Sequence, residues 1–555
     1  MGPILRALAG RLLRPWLFLI VLSLLAAIPA LYLSTGPRGV FNSPDETAAF
    51  SAARQFAETG RFYERDELTM ADEESLIKQR GYVSYRGRAV TSYPLGHPLL
   101  LGIVRRAFGD NSEIALAAIP ALTALALGLV IYRLTAGRRI LITLAPVLAL
   151  PAWWWASQVY FNMSAYLLFL SWGLLWFVTA VQKRSLRWYF AGAVFFAIAS
   201  LMRYQDAIIT GLIGLTFAAQ LAWRERSLAL KVLGAAIGTY AAAQLMFFLL
   251  PVTVLHWWTF GNPFTYGLQI FNERWFPERL GDDASGLLRV LFSVKLALFP
   301  SNISIATAAN GVLRQVIQLA PVLTMLGVAG VFIIRRAVGG TISPWAMGLG
   351  LLALAYLIVS RASPDTFGAQ VSRPLLSTSF TRYLSVTYVI LAISAGFFLS
   401  RFSKTWVAGV LAVILLVSGT TTLWIQYDTP FGKIASRNAS GFSEYGQPIA
   451  EKTEDNALIY TGVFDKWVVP VRRVAAWWWG EHPERYFSAP EVASSAERVH
   501  RLGYPVYFYL TEEPVHDLRR ELRRKGFELV PIEIDARGAW LWKMVTTEKS
   551  TDQEF

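Results

Sequence analysis

The sequence has 555 residues, of which 54% are hydrophobic and only 16% are charged, with a mean hydropathy of +0.40. A soluble protein usually carries about 25% charged residues, so this composition excludes a soluble globular protein and indicates an integral membrane protein. The chain contains no cysteine, which excludes disulfides, thiol nucleophiles and thiolate metal sites.

Long apolar segments recur from near the start of the chain to about residue 425. A transmembrane helix needs about 20 mainly apolar residues, and eleven segments approach this length. A further apolar segment, Leu95–Phe108, is too short to span and is predicted to be a re-entrant or interfacial helix. The predicted spans are Pro15–Tyr32, Glu113–Arg133, Ile140–Trp155, Met163–Val181, Trp188–Met202, Ile208–Trp223, Val232–Trp257, Val316–Ile334, Pro344–Ser360, Ser385–Ser400 and Val407–Ile425.

Lysine and arginine in the short loops between these segments predict the orientation. The loops on one side, with the residues before the first span, hold sixteen Lys or Arg residues and one acid, Glu225. The whole chain has a net charge of +14, so the remaining residues are close to neutral. Positive loops mark the cytoplasmic side, so the N-terminus is predicted inside and the C-terminus outside. The same distribution argues against a nucleic-acid partner.

The longer polar segments fall on the predicted outer side. We predict a transmembrane domain over residues 1–425 with outer loops 34–112, 258–315 and 361–383, and an extracytoplasmic α/β domain over residues 426–555. In this tail, strand-like and helix-like patterns alternate. Strands are predicted at Ala457–Phe464, Val506–Leu510, Phe527–Ile534 and Trp540–Val545, and helices at Pro490–Leu502 and Pro514–Lys525.

The first outer loop contains two adjacent acids, Asp45 and Glu46, directly after Pro44. Proline favours the first turn of a helix, and the positive end of the helix dipole favours acids there. Capping of this helix explains one acid well and a pair less well. The sequence therefore leaves two interpretations open, helix capping and a functional site.

A second stretch of the same loop runs Ser92-Tyr93-Pro94-Leu95-Gly96-His97-Pro98 and leads into the short apolar segment. A single histidine is more often structural than a ligand. The five histidines of the chain show no metal-binding spacing. A divalent metal therefore remains possible, but ligand spacing does not support one.

Several short motifs, taken in chain order, resemble those of a known family. With one helix before the first outer loop, their order is similar to that of the GT-C membrane glycosyltransferases, particularly the protein-mannosyltransferase and aminoarabinose-transferase-like branch that uses polyprenyl-phosphate sugars. The motifs are Pro44-Asp45-Glu46, Tyr93-Pro94-Leu95-Gly96-His97-Pro98-Leu99, Leu201-Met202-Arg203-Tyr204-Gln205-Asp206, Phe260-Gly261-Asn262-Pro263 and Arg382-Tyr383-Leu384.

The resemblance implies inverting transfer of a sugar from a polyprenyl-phosphate donor to an acceptor hydroxyl at the outer membrane face. It implies that Asp45 is the general base, since a sugar hydroxyl is a poor nucleophile and base catalysis typically contributes about 10²–10⁴-fold. Arg203 and Arg382 are the candidates to bind the lipid phosphate, although interfacial anchoring by snorkelling also explains either one. Glu46, Tyr93 and His97 are assigned to substrate binding.

One position departs from the family pattern. Many relatives have a second acid just before the fourth helix, where this sequence has Asn162. An asparagine orients a substrate but cannot act as a base, so Asn162 is assigned to substrate binding. The departure puts metal binding and a two-acid site in doubt.

Two other classes of function remain open from the sequence. A transporter or flippase for a lipid-linked solute would carry ionisable residues near the bilayer midplane, whereas the acids here cluster in the outer loops. A non-catalytic membrane scaffold is the second alternative. The predicted partners are the lipid-linked donor, membrane lipids and a glycan, lipid or protein acceptor, and the predicted location is the plasma (inner) membrane.

Overall fold

The computed structural model describes residues 15–34, 40–41, 43–71, 81–225, 228–267, 270, 305–337, 343–360, 382–424, 439–461, 465–476, 488–510, 516–532 and 540–547. Contacts divide the chain into two compact units. The first comprises Met1–Leu33, Asn111–Val254 and Asp283–Lys433. The second comprises Ser34–Asp110, Leu255–Asp282 and Ile434–Phe555, so it joins most of the first predicted outer loop to most of the tail.

The described elements are mostly helices. The helices are α1 (Pro15–Leu33), α2 (Pro44–Thr59), α3 (Glu67–Ala71), α4 (Gly96–Phe108), α5 (Ser112–Leu116), α6 (Ala118–Thr135), α7 (Ile140–Leu148), α8 (Trp153–Ala156), α9 (Asn162–Lys183), α10 (Leu186–Met202), α11 (Ala207–Arg224), α12 (Ala229–Gln244), α13 (Leu250–Phe260), α14 (Ile305–Val312), α15 (Pro321–Ala337), α16 (Pro344–Ser360), α17 (Ser385–Leu399), α18 (Thr405–Trp424), α19 (Gln447–Lys452), α20 (Asp465–Val468), α21 (Ala489–Arg501) and α22 (His516–Arg524). The strands are β1 (Tyr63–Glu64), β2 (Tyr82–Tyr85), β3 (Arg88–Thr91), β4 (Leu458–Thr461), β5 (Arg473–Ala476), β6 (Val506–Leu510), β7 (Phe527–Ile532) and β8 (Trp540–Thr546).

Six helices among the described residues are long and apolar enough to cross a membrane, and a bent pair of helices adds a seventh if it is one span. Three shorter apolar helices also coincide with predicted spans. The multi-pass helical class is therefore confirmed, while the eleven crossings and the orientation stay predictions. The six helices are Pro15–Leu33, Ala118–Thr135, Asn162–Lys183, Tyr204–Arg224, Ala229–Phe260 and Thr405–Thr422.

The third predicted span, Ile140–Trp155, is broken in the structure. Helix α7 ends at Leu148, and a separate short helix begins at Trp153. Pro151 explains the break, because proline disfavours helical geometry in the residue before it. The indole of Trp153 donates a hydrogen bond of 2.5 Å to the carbonyl oxygen of Val147, which satisfies one acceptor that the broken helix leaves open.

Helices α9 and α10 form a closely packed pair that positions two of the predicted site residues, Asn162 and Arg203. A Cβ atom at Gly173 would lie 2.2 Å from the ring of Phe196, so only glycine permits this approach. Small residues allow such close contact between membrane helices. The pair places the start of α9 and the end of α10 on one rigid support.

The first outer loop folds around α2 and a small antiparallel sheet in the order β1-β3-β2. Strands β2 and β3 are joined by Arg86 and Gly87, which both have positive φ, at 51° and 70°. Two such residues form the tight turn that matches the twist of a hairpin. The sequence analysis did not predict this sheet, because Arg-Gly is a weak turn signal.

The tail contains a five-stranded mixed sheet in the order β5-β4-β6-β8-β7. Strands β5, β4 and β6 are parallel, and β8 and β7 continue the sheet in antiparallel pairs. All four predicted strands and both predicted helices of the tail are present. Strand β5 was missed, because its four residues include two alanines and show little alternation.

Candidate functional site

The two motifs of the first outer loop meet at Asp45. The hydroxyl of Tyr93 donates a short hydrogen bond to Asp45 Oδ1, across 48 positions of sequence. Tyr93 is itself held by packing against Ala48, Tyr82 and Ala89, and its backbone N–H donates to Thr91 Oγ1 at 3.2 Å. The orientation of the Asp45 carboxylate is therefore fixed by a side chain that the small sheet presents.

The capping interpretation of Asp45 can be examined at the start of α2. Ser43 is the N-cap residue, and its hydroxyl accepts a hydrogen bond of 3.2 Å from the backbone N–H of Asp45. Serine is a preferred residue for this role. Because Ser43 caps the helix, the carboxylate of Asp45 is available for its bond with Tyr93.

Glu46 and His97 lie on the helices that flank this point and are buried, with 5% and 1% exposed area. Their helices, α2 and α4, are packed so closely that a Cβ atom at Gly102 would lie 2.6 Å from the ring of Phe56. Both side chains therefore lie within the packed loop. Their assignment to substrate binding stays a prediction.

A second group of predicted residues lies in the first unit, at the junction between α10 and α11. Arg203 is 1% exposed, and its Nε lies 2.9 Å from Asp206 Oδ2. Asp206 is also buried, at the end of the short 3₁₀ turn Tyr204–Asp206. Its backbone N–H donates to the carbonyl of Arg203 at 3.0 Å, which closes the turn. A buried ion pair beside membrane spans is a functional hypothesis by default, because charge is costly there.

The ring of Tyr383 brings the two predicted arginines together. The guanidinium carbon of Arg203 lies 5.1 Å from the centre of this ring, and that of Arg382 lies 5.2 Å from it. Arg382 Nη2 also donates to the hydroxyl of Tyr383 at 3.4 Å. Arginine interacts favourably with aromatic faces at these distances. Two positive charges are thus held around one tyrosine.

Further aromatic rings complete this cluster. Arg203 also lies over Tyr166 at 5.6 Å, and Arg382 lies over Phe161 at 5.2 Å. Phe161 directly precedes Asn162, which is partly exposed at the start of α9. The structure therefore brings Arg203 and Arg382 together and places Asn162 next to a residue that Arg382 contacts. We call Phe161, Tyr166, Arg203, Asp206, Arg382 and Tyr383 the arginine–aromatic cluster.

Glu113 supplies a carboxylate near the position where the sequence lacks a second acid. The hydroxyl of Tyr160 donates to Glu113 Oε1 at 3.4 Å, and Tyr160 is two residues before Asn162. Sequence reasoning missed Glu113, Tyr166 and Tyr383 as neighbours of the site, since no local spacing connects them. Sequence reasoning also did not single out Asp206, although its spacing of three from Arg203 is a signal for a local ion pair.

Among the residues that the structure describes, no group of three or more His, Asp or Glu side chains has a geometry that could hold a metal ion.

A solved structure shares this architecture. ArnT from Cupriavidus metallidurans, in the structure bound to undecaprenyl phosphate, matches 96% of this chain and 98% of its own with a TM-score of 0.52 and 14% identity. The chain has the fold of ArnT. The fold that the motif order predicts is thereby confirmed.

Two further structures match less well. ArnT from the same organism in the apo state gives a TM-score of 0.44, with 16% identity over 94% of this chain and 97% of that one. The archaeal oligosaccharyltransferase AglB from Archaeoglobus fulgidus, in complex with an inhibitory peptide and a dolichol-phosphate, gives 0.46, with 11% identity over 89% of this chain and 69% of that one. No protein-family model and no curated protein sequence matches the chain.

Proposed function

We propose that this protein is a membrane glycosyltransferase that moves a sugar from a polyprenyl-phosphate donor to an acceptor hydroxyl, with inversion. The reaction takes place at the extracytoplasmic face of the plasma (inner) membrane. The observation that carries the proposal is the Asp45–Tyr93 hydrogen bond in a chain with the ArnT fold. The ArnT structure holds undecaprenyl phosphate, and we extend that class of carrier to this protein.

Asp45 is the proposed general base. Its carboxylate takes the proton from the acceptor hydroxyl while the hydroxyl oxygen attacks the anomeric carbon of the donor sugar. The bond from that carbon to the lipid phosphate breaks, and the phosphate leaves with the electron pair. A base must be held within hydrogen-bond reach of the proton it removes, and the hydrogen bond from Tyr93 helps to orient the carboxylate.

Arg382 is the proposed contact for the leaving phosphate. Its side chain is partly exposed, and it lies against the faces of Phe161 and Tyr383. The planar guanidinium of arginine forms paired hydrogen bonds with a phosphate. Charge that develops on the leaving group is stabilised most by such pre-oriented donors.

Arg203 is proposed to act on the same phosphate mainly through its position. Its ion pair with Asp206 and its burial restrict direct contact. Its guanidinium carbon lies 5.1 Å from the centre of the Tyr383 ring. Arg203 therefore helps to fix the ring on which Arg382 packs.

The remaining predicted residues receive supporting roles. Tyr93 orients Asp45, and Asn162 is proposed to hydrogen-bond the donor sugar from the start of α9. Glu46 and His97 are buried, so we propose that they position α2 and α4 and contact the substrate only if these helices separate. The acceptor is a glycan, a lipid or a protein.

Transfer of radiolabelled hexose or pentose from polyprenyl-phosphate donors tests the proposal, in membranes that contain the protein at equal levels. We expect transfer by the wild type and a loss of about 10²-fold or more in Asp45→Asn. Glu58→Gln is the matched control, since Glu58 lies on the same helix and its side chain is 58% exposed. Glu58→Gln should retain the activity.

The outcomes also separate the alternatives. Equal transfer by wild type and Asp45→Asn would refute the assignment of the base. Movement of the donor lipid across the bilayer of vesicles, without sugar transfer, would favour the flippase. A cellular function that is lost when the protein is absent, but retained in Asp45→Asn, would favour the scaffold.

A further inference from the structure

The first outer loop contributes side chains to the core of the C-terminal sheet. Val40 is buried in a cluster with Trp467, Tyr509 and other residues of the tail. Leu68 of α3 is fully buried in a second cluster, together with Val492 of α21. All these residues belong to the second compact unit. The loop therefore packs into the tail at two points, one before and one after the helix that carries Asp45.

Polar contacts join the same two parts of the chain. Arg473 at the start of β5 forms an ion pair with Asp66 of the first outer loop. Asp66 also caps α3, where its Oδ1 accepts a hydrogen bond of 2.8 Å from the backbone N–H of Thr69. The helix α20 of the tail contacts α2. One residue, Arg473, thus connects the tail to the point where the loop turns into α3.

The charges around Asp66 favour this connection. Burial raises the pKa of the nearby Glu64 carboxyl, and the positive charge of Arg473 is the largest opposing influence. Burial also opposes ionisation of Asp66, but the Thr69 N–H and Arg473 outweigh it and hold the pKa of Asp66 below its usual value. Without Arg473, two carboxylates close together would lose their principal positive partner.

A short path of backbone leads from this ion pair to the proposed base. Asp66 follows β1 by two residues, and β1 pairs with β3, with Tyr63 opposite Val90. Tyr93 follows the end of β3 by two residues and donates its hydroxyl hydrogen to Asp45. A displacement of β1 is therefore transmitted through one strand pairing to the side chain that orients Asp45.

We propose that Arg473 is a positioning residue, through which the C-terminal domain holds the Tyr93–Asp45 pair in its working geometry. The catalytic part of this inference rests on the proposed function. The structural part, that Arg473 stabilises the packing of the first outer loop, does not depend on the proposed function. Val40 forms the second attachment, five residues before Asp45. The tail thus acts on the reaction site through the first outer loop.

The absence of cysteine from the sequence allows a test that is independent of activity. Thr47 is 1% exposed in the first turn of α2, so a thiol at this position reports opening of the loop. The full-length Thr47→Cys protein is reacted with a maleimide, alone and combined with Arg473→Gln or Val40→Ala. Arg501→Gln is the matched control, because Arg501 forms an exposed ion pair with Glu497 in the same domain.

We expect Arg473→Gln to increase the alkylation rate and to reduce kcat, each about fivefold, the change that a half-exposed ion pair typically supplies. Arg473→Lys should restore both values, and Arg501→Gln should change neither. In a Tyr93→Phe background, Arg473→Gln should reduce kcat little further, because the two act through one path.

Three outcomes decide the proposal. Faster alkylation with reduced kcat supports it. Faster alkylation in a protein that transfers no sugar supports the mechanical link and counts against the proposed function alone. Alkylation and kcat that match the Arg501→Gln control in both Arg473→Gln and Val40→Ala would overturn it.

Discussion

The hydroxyl of Tyr93 donates a hydrogen bond to the carboxylate of Asp45. One residue belongs to the Pro-Asp-Glu motif at the start of α2, and the other to the Tyr-Pro-x-Gly motif before α4. Each motif alone has an ordinary structural explanation, in a helix cap or a helix start. Their direct contact means that both motifs act on the orientation of one carboxylate, that of Asp45. Ser43, and not Asp45, is the N-cap residue of α2.

Replacement of this tyrosine should impair the chemical step more than binding. Tyr93→Phe removes one hydrogen bond to a charged group, which typically contributes about 1.5–3 kcal/mol, so kcat should fall by about 10- to 100-fold. The Michaelis constant of the acceptor should change little, since the ring and its packing remain. Steady-state transfer assays on purified protein measure both values.

Tyr85→Phe provides the matched control for this variant. Tyr85 ends the neighbouring strand β2, and its ring lies against Phe260 at 5.7 Å. Removal of its hydroxyl should leave kcat unchanged. A Tyr93→Phe protein with the kcat of this control would show that the hydrogen bond to Asp45 is not needed.

Arg382 should determine the affinity for the donor. Arg382→Gln removes the charge while a polar side chain remains, and we expect the donor KM to rise about tenfold or more, as for loss of a charged hydrogen bond. Arg382→Lys should give an intermediate value, since lysine keeps the charge but lacks the planar group that packs on Phe161 and Tyr383.

The control for Arg382 is Arg401, which also packs on an aromatic ring, at 4.6 Å from the centre of Phe397. Arg401→Gln should leave the donor KM unchanged. If Arg382→Gln binds the donor as tightly as the wild type does, the leaving phosphate is stabilised by other groups.

Arg203 should be needed for stability, in contrast to Arg382. Arg203→Met removes the arginine partner of the buried Asp206 carboxylate, and breaking a buried ion pair typically costs about 3–5 kcal/mol. The double variant Arg203→Met/Asp206→Leu should recover much of this loss, because both members of the pair are then removed. Thermal unfolding in detergent measures the difference.

An exposed pair provides the comparison for this cycle. The side chains of Arg184 and Glu225 are 60% and 29% exposed, and such pairs contribute about 0–1 kcal/mol. Arg184→Gln should therefore shift the Tm only slightly. A double variant of Arg203 and Asp206 that is less stable than the single one would contradict the assignment of this pair as a charge-compensated unit.

Elements with a strong local pattern were predictable from the sequence. Strand β6 has the predicted bounds, Val506–Leu510, and α2 begins at Pro44 as the proline and the acids indicate. The end of helix α7 was not predicted correctly. The apolar sequence continues through Pro151, but the helix ends at Leu148. Hydrophobicity indicates that a segment enters a membrane, but it does not show where a proline such as Pro151 interrupts the helix.

The site was predictable only residue by residue. Motifs predicted Asp45, Arg203 and Arg382 as site residues, but Tyr383 as the ring shared by both arginines depends on tertiary packing. The same holds for Val40 and Leu68, whose apolar side chains have no helical or strand periodicity that connects them to the tail. Contacts between residues far apart in sequence leave no spacing for sequence reasoning to detect.

The tail contains a charged group whose titration should be visible in stability. Glu454 accepts a hydrogen bond of 2.8 Å from Lys543 Nζ and one of 2.6 Å from the hydroxyl of Tyr507. Burial opposes its ionisation, but these two bonds outweigh that effect and hold the pKa of Glu454 below its usual value of 4.5. The carboxylate form is therefore favoured more strongly in the folded tail than in the unfolded chain.

A carboxyl with a lowered pKa stabilises the fold above its unfolded pKa, and this contribution is lost as the pH falls through the folded value. The Tm of the wild type should therefore decrease as the pH is lowered below 4.5. Glu454→Gln should lower the Tm at neutral pH and should show a smaller decrease in acid, since the titrating group is absent. Thermal unfolding of the full-length protein across this range measures both slopes. Glu451→Gln is the control, because Glu451 accepts an exposed hydrogen bond from Gln447. Parallel slopes for wild type and Glu454→Gln would mean that acid destabilises the tail through other carboxyl groups, with Asp66, whose pKa is also lowered, as the first to examine.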